Sequence, residues 1–437
     1  MLTLLVGDIG SDECVKTGAS FERSFPKMNT FSIIIALSIA ATATAVTVNT
    51  NFAWKQVDFV WDSPEQRENA IKDGQFIQAN NVPLGVARWK NKVFVSMPRW
   101  RKGVASALSY VDLDGAPDQP LKPYPSMADN LVSDTAEGLP SNRSIVSVFR
   151  VFVDVCDRLW VQDGGIADVF GARHQITNPS IAIFDLNTDQ LIHRHFFTKM
   201  GNAFKENSFF GNIVVEVDKD SCDDAYAYAA DISRPGIVVY SLKQDASWRV
   251  EHLYFHLEPL AGIFNASGLD FQWADGVLGM ALSEPQPDGY RTMYFHAFSS
   301  TKEFSVSTKV LRDWKPENKR ELFYKFKYLG DRGPMTQATS SYYDPESKAV
   351  FYTQVCRDGV GCWNTNKPYT VENNPLVLYD PTFFEFSADL KLDSEGTLWV
   401  LTDKLPRYFY MTLDPDVINF RIMSVKAKDV IAGTTCE

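Results

Sequence analysis

VSVFRVFVDVCDRLWVQD, residues 146–163, holds two short apolar runs joined by a polar turn. Val and Phe dominate the first run, and the second carries Leu159, Trp160 and Val161. β-Branched and aromatic residues on both sides of such a turn read as an antiparallel hairpin. The pattern returns as PLGVARWKNKVFVSM (83–97), GNIVVEVDKDSCDDAYAYAAD (211–231), NASGLDFQWADGVLGMALS (265–283), ATSSYYDPESKAVFYTQ (338–354) and FSADLKLDSEGTLWVLTD (386–403). Phe94, Trp160, Tyr228, Met280, Phe351 and Trp399 take equivalent places, at separations of 66, 68, 52, 71 and 48 residues. That spacing suits a four-stranded unit with long loops. Six units predict an all-β, six-bladed β-propeller in which each copy supplies the two inner strands of a blade. A pair of β-sandwiches would not explain six similar hairpins. NFAWKQVDFVW (51–61) precedes the first copy and FYMTLDPDVINFRIMSV (409–425) follows the last. Together they would share a blade and close the ring.

The chain has 437 residues, 54 acidic and 43 basic, for a net charge of -11, and 45% of it is hydrophobic. It can bury a large core, which excludes global disorder. The acidic balance argues against non-specific nucleic-acid binding, and no Lys/Arg run suggests a membrane-surface patch. Near the start, FSIIIALSIA (31–40) follows Lys27 and leads into small residues, with Ala43 and Ala45 in an A-x-A pattern. This reads as a signal peptide over 28–45, preceded by an upstream extension over 1–27 and followed by one propeller over 46–437. The apolar run is shorter than a bilayer span requires, so no membrane span is expected in the mature chain.

Loss of the leader would remove Cys14 and leave five cysteines, enough for two disulfides and one thiol in an oxidising compartment. Cys156 and Cys222 both fall in the turn between first and second strands of successive copies. Adjacent blades would bring those turns together, so the two are expected to pair. Cys362 and Cys436 are expected as the second pair, tying the C-terminus to the fifth blade. Cys356 is left as a buried, inert thiol. Asn142 and Asn265 lie in glycosylation sequons. Asn142, in the polar loop AEGLPSNRS (136–144), is the better glycan site, because Asn265 is expected to face the channel.

Several stretches resemble the Yellow/major royal jelly protein family of insects. They are SMPRW (96–100), CDRLWVQD (156–163), CDDAYAY (222–228), NASGLDFQW (265–273), DGYRTMYF (288–295), VSTKVLRD (306–313), VGCWN (360–364) and NFRI (419–422). The likeness runs from about Asn51 to Cys436. It implies secretion, a six-bladed propeller and the two disulfides named above. Some members of that family act in melanin formation and cuticle colour, and certain ones convert dopachrome to dihydroxyindoles. Salivary relatives bind biogenic amines in the central cavity, and royal jelly relatives are chiefly nutritive or structural. Fold alone does not choose among these roles.

In a propeller, ligands usually meet the mouth of the central channel, so candidates come from the ends and starts of the copies. The ends give Met97 and Arg99, Asp163, Asp231, Ser283 and Glu284, Gln354, and Thr402 and Asp403. The starts give Pro83, Asn212, Asn265, Thr339 and Ala388. Asp163, Asp231, Glu284 and Asp403 are the candidate bases for proton transfer. Arg99 is the candidate holder of a substrate carboxylate, and Asn265, Gln354, Ala388 and Asp403 are candidate ligand contacts. Each Asp has the competing reading of a turn residue accepting backbone N–H bonds. Amine-binding relatives carry Thr and Asn where this chain has Ala388 and Asp403, which puts the amine-carrier role in doubt. His193 and His195 alternate along one strand face, but HRHFF (193–197) reads better as an outer strand than as a metal site. A central Ca²⁺, as in six-bladed lactonases, would find a thin oxygen set here. Neither metal nor cofactor is expected. The leading reading is dopachrome conversion in pigmentation. The alternatives are a non-catalytic binder of biogenic amines or catecholamines, and a structural extracellular protein.

Overall fold

Five of the six quoted hairpins form as read. The inner strands Gly85–Trp89, Val148–Val153, Phe210–Glu216, Ser341–Asp344 and Ser387–Leu392 pair antiparallel with Lys92–Ser96, Arg158–Asp163, Tyr226–Asp231, Ala349–Gln354 and Thr397–Thr402. Two further strands complete each blade, giving six four-stranded sheets. Several tight turns inside these hairpins place one residue in the left-handed region: Lys90, Asp157, Lys348 and Gly396. In two blades an Asp at the start of the turn clamps the hairpin. Asp154 accepts the indole N–H of Trp160 at 2.7 Å, and Asp393 that of Trp399 at 2.8 Å.

The computed structural model describes residues 46–199, 203–315 and 317–437, and Val46–Glu437 forms one compact unit. The leader and extension read in residues 1–45 lie outside the described residues. Each inner strand neighbours the next, and Ser387–Leu392 returns to Gly85–Trp89, so the sheets form a six-bladed ring. Asn49–Trp54 pairs with Phe420–Lys426 as the outermost strand of the sixth blade. The two ends of the described chain therefore share a blade, as expected, and a sheet edge that would otherwise be open is paired.

The fourth hairpin is a correction. NASGLDFQW (265–273) is a hairpin, but Ile263–Ala266 and Leu269–Gln272 form a separate two-stranded sheet outside the blades. Ser267 and Gly268 both have positive φ, the geometry of a tight hairpin turn. The true inner pair of the fourth blade is Val277–Leu282 with Thr292–Ala297. A nine-residue connection holding Pro285 and Pro287 joins those strands and hides the hairpin in the sequence. Met280 thus lies on an inner strand, and Phe295, opposite it, takes the place assigned to Met280. Phe94, Trp160, Tyr228, Phe295 and Phe351 are 0% exposed and Trp399 is 3% exposed, as the core-facing aromatics of six blades should be.

Both disulfides form as expected. Cys156–Cys222 joins the turns of the second and third blades with Cα atoms 6.0 Å apart, and Cys362–Cys436 fastens the C-terminus to the fifth blade at 6.1 Å. Cys356 is unpaired and half-buried, and burial pushes its thiol up to about 12. A thiol so far above neutral pH is unreactive.

Candidate functional site

The inner strands all begin at one end of the channel, here the upper end, and their partner strands finish there. Asp163, Asp231 and Gln354 close their partner strands, Asp403 directly follows Thr397–Thr402, and Arg99 lies a little beyond Lys92–Ser96. Their surroundings differ. Asp163 is fully buried and accepts from the backbone N–H of Val146, Ser147 and Gly165, each at 2.9 Å. Asp231 accepts from the N–H of Phe209 and Arg234 at 3.0 Å and from Arg249 at 3.1 Å. Burial raises its carboxyl above the usual value, with Arg249 opposing. Both carboxylates hold down the loop that leads into their own blade, which is the turn-residue role. Arg99 is equally committed: it donates to the carbonyls of Val146 (2.6 Å) and Asn130 (2.5 Å) and pairs with Asp134 at 3.3 Å. Gln354 is fully buried with its amide against Gly361 of its own sheet, and neither Oε1 nor Nε2 has a hydrogen-bond partner among the described residues.

Asp403 is different. It is 0% exposed, and among the described residues its side chain makes one hydrogen bond, from the N–H of Leu405 to Oδ1 at 3.1 Å. Oδ2 is buried with no hydrogen-bond partner among the described residues. Burial holds the carboxyl well above the usual range, with the N–H of Leu405 and the charge of Arg150 opposing. Below it, Arg150 crosses the channel from the second blade. Its guanidinium donates to the carbonyls of Thr339 (2.8 Å) and Ala388 (2.6 Å) and meets Asp389 at 3.1 Å. Asp389 also holds Lys391 at 2.8 Å, Ser340 at 2.8 Å and the N–H of Val86 at 3.0 Å. Burial alone would raise Asp389, but Lys391 and Arg150 outweigh it and hold the carboxyl below its usual value. The buried axis therefore carries two basic side chains against one ionised carboxylate. Ala388 contributes its carbonyl to this cluster.

Aromatic side chains roof the upper end. Trp100, Phe149, Phe209 and Phe409 come from the segments of four blades and Trp273 from the end of the extra hairpin, and they touch in a chain with centroids 5.0 to 5.7 Å apart. Rings from so many parts of the ring of blades meet over the axis. Phe409 belongs to the short helix Leu405–Tyr410, which follows Asp403 directly. The indole N–H of Trp100 is buried in this roof without a partner.

Two expected site residues lie elsewhere. The corrected register of the fourth blade moves Glu284 to the lower end of the channel, where it pairs with Lys348 at 2.7 Å. Asn265 is exposed on the extra hairpin and bonds Asp270 at 2.7 Å, so it does not line the channel. Asn142 is exposed in its loop. His193 and His195 do sit on an outer strand, and both rings share Oδ1 of Asp245 from the next blade, at 2.9 and 3.0 Å. Sequence reading missed Arg150, Asp389 and Lys391. The signal was present: a basic residue interrupts each of two apolar inner strands, VFRVFV and SADLKL.

The described residues thus form a six-bladed propeller with a buried carboxyl, Asp403, under aromatic rings and beside a basic cluster on the channel axis. The family is then settled by comparison. The family model described as major royal jelly protein matches residues 146–436. Protein yellow of Drosophila yakuba is 37% identical over 395 residues, covering 88% of this chain and 70% of that protein. L-dopachrome tautomerase yellow-f of Drosophila melanogaster is 36% identical over 408 residues, covering 88% of this chain and 93% of that one. The chain belongs to the Yellow/major royal jelly protein family. Among solved structures, an aldose sugar dehydrogenase of Streptomyces coelicolor aligns over 87% of this chain and 98% of that chain, with a TM-score of 0.44 and 10% identity. A likeness that low carries no functional meaning. No helix among the described residues is long and apolar enough to cross a membrane.

Proposed function

We propose that the protein is secreted, after loss of a leader over 28–45, and serves melanin or cuticle pigmentation by converting dopachrome to dihydroxyindoles at the upper end of the channel. The observation that carries this reading is Asp403: a fully buried carboxyl, its pKa held well above the usual range by burial, with Oδ2 lacking a hydrogen-bond partner among the described residues. Where the carboxyl is retained the conversion is an isomerisation, in which two protons leave ring carbons and two arrive on the quinone oxygens, so it needs no oxidant; the decarboxylated product forms with release of CO2 in place of one carbon-bound proton. Asp403 gives its proton to a quinone oxygen. The carboxylate left behind is poorly solvated and basic, and it takes a proton from carbon, returning to its starting state; a second such exchange moves the second proton from carbon to the other quinone oxygen. Dopachrome carries a carboxylate, and the positive excess of Arg150 and Lys391 over Asp389 suits an anion better than a cationic amine. The aromatic roof supplies stacking surfaces for an indole-like ring. The name of the fly relative, L-dopachrome tautomerase, agrees with this reading. The two disulfides suit an oxidising compartment, and Asn142 is the proposed glycan site.

Product analysis tests the proposal. Purified protein and L-dopachrome should yield dihydroxyindoles, resolved by chromatography, faster than the spontaneous reaction. An unchanged rate and product ratio would reject it. Saturable binding of dopachrome without turnover would instead favour the non-catalytic binder.

A further inference from the structure

The lower end of the channel holds a cavity of about 230 Å³, separate from Asp403 and on the far side of Arg150. Phe152, Val214, Met280, Leu282, Glu284 and Tyr342 line it. Phe152 and Tyr342 come from the second and fifth blades, which stand opposite each other in the ring. Their rings are 6.2 Å apart and 14° from parallel. An apolar cavity of about 150 Å³ holds benzene, so this one has room for one ring or two fused rings. Polar groups are few. Glu284 gives Oε1 to Lys348 at 2.7 Å, while its Oε2 is buried without a hydrogen-bond partner. Burial opposes charge on Glu284, but hydrogen bonding from Lys348 and a looser approach of the Tyr343 hydroxyl outweigh it and hold the carboxyl below its usual value, so Tyr343 is the group with which a ligand's donor competes. Other charges at the rim are balanced: Arg291 pairs with Asp218 and donates to the carbonyl of Ser283 at 3.0 Å. A balanced rim attracts neither a cation nor an anion. What remains unmet is one strong acceptor at the edge of an apolar, aromatic slot.

We propose that this cavity is a second ligand site, distinct from the one at Asp403, for a small uncharged aromatic bearing one N–H or O–H donor. The ring lies against Phe152, Met280 and Tyr342, and the donor bonds Oε2 of Glu284. Indole and 1-methylindole are the probes, since they differ in the donor and by one methyl group. Ligand-observed NMR titration of the purified protein should show saturable binding of indole and at least tenfold weaker binding of 1-methylindole. Leu282→Trp should fill the cavity and abolish indole binding. Val155→Trp, on an exposed rim position, should obstruct entry without disturbing the core. Glu284→Gln should shrink the preference for indole to less than threefold, because a neutral acceptor bonds more weakly than a carboxylate. Thermal melts confirm that each variant folds. Absence of saturation, equal affinity for the two probes, or loss of binding in Asp403→Asn but in neither tryptophan variant would overturn the proposal.

Discussion

At Asp403, stability and chemistry pull in opposite directions. Its folded-state pKa lies well above the value of about 3.9 in an unfolded chain. The neutral carboxyl therefore favours folding fully below that value, and the contribution is lost as pH rises from there towards the folded pKa. Asp403→Asn cannot ionise, so its melting temperature should exceed that of the wild type at pH 7, and the gap should close at pH 4. A constant gap would show that Asp403 does not titrate in this range. The same substitution should lower dopachrome conversion about 100-fold or more, within the range attributed to a single proton-transfer group. A stable but inactive variant is the expected signature of a site that gives up stability for reactivity. Arg150 obeys the opposite rule. Arg150→Met removes the partner of Asp389 and leaves the carbonyls of Thr339 and Ala388 without their donor. Breaking a buried pair from one side should cost about 3 kcal/mol or more in denaturant unfolding.

Hairpins were the part of this fold most open to sequence reading. Asp154 with Trp160 and Asp393 with Trp399 repeat one clamp at the same spacing, and the aromatic in each second strand marks the blade core. The fourth blade escaped for a physical reason. NASGLDFQW has the turn chemistry of a hairpin and forms one, while the real inner pair is split by a loop with two prolines that looks like a linker. That single slip carried Glu284 to the wrong end of the channel and Asn265 into it. The turn register also explains the bridge between Cys156 and Cys222, since both sit at the lower ends of adjacent blades. Replacing both by Ser should lower stability by about 2–4 kcal/mol, read from unfolding under non-reducing conditions. Asp163 and Asp231 looked catalytic because they end their strands. The competing reading, a turn residue accepting backbone N–H bonds, is the one these two fill, and the choice rests on N–H groups whose placement no sequence pattern displays.

Across the whole molecule, ring closure and the divided channel are the two features that matter. Asn49–Trp54 completes the last blade, so a chain beginning at residue 55 should expose the edge of Phe420–Lys426 and self-associate, as seen by size-exclusion chromatography. A monomer as stable as the full protein would contradict that role. Arg150 divides the channel into an upper compartment with the buried carboxyl of Asp403 and a lower cavity with Oε2 of Glu284. Positions of the blades were legible from the repeats, but this division was not, because it depends on one side chain reaching from the second blade to the fifth and sixth. The central claim is that Asp403 moves protons within dopachrome. Its most direct test is the initial rate of L-dopachrome decay against substrate concentration for wild type and Asp403→Asn side by side, with heat-denatured protein as the baseline. Saturable acceleration by the wild type, with the variant at or near the baseline, is the expected result. Decay at the baseline rate for both proteins, or equal acceleration by both, would contradict the claim.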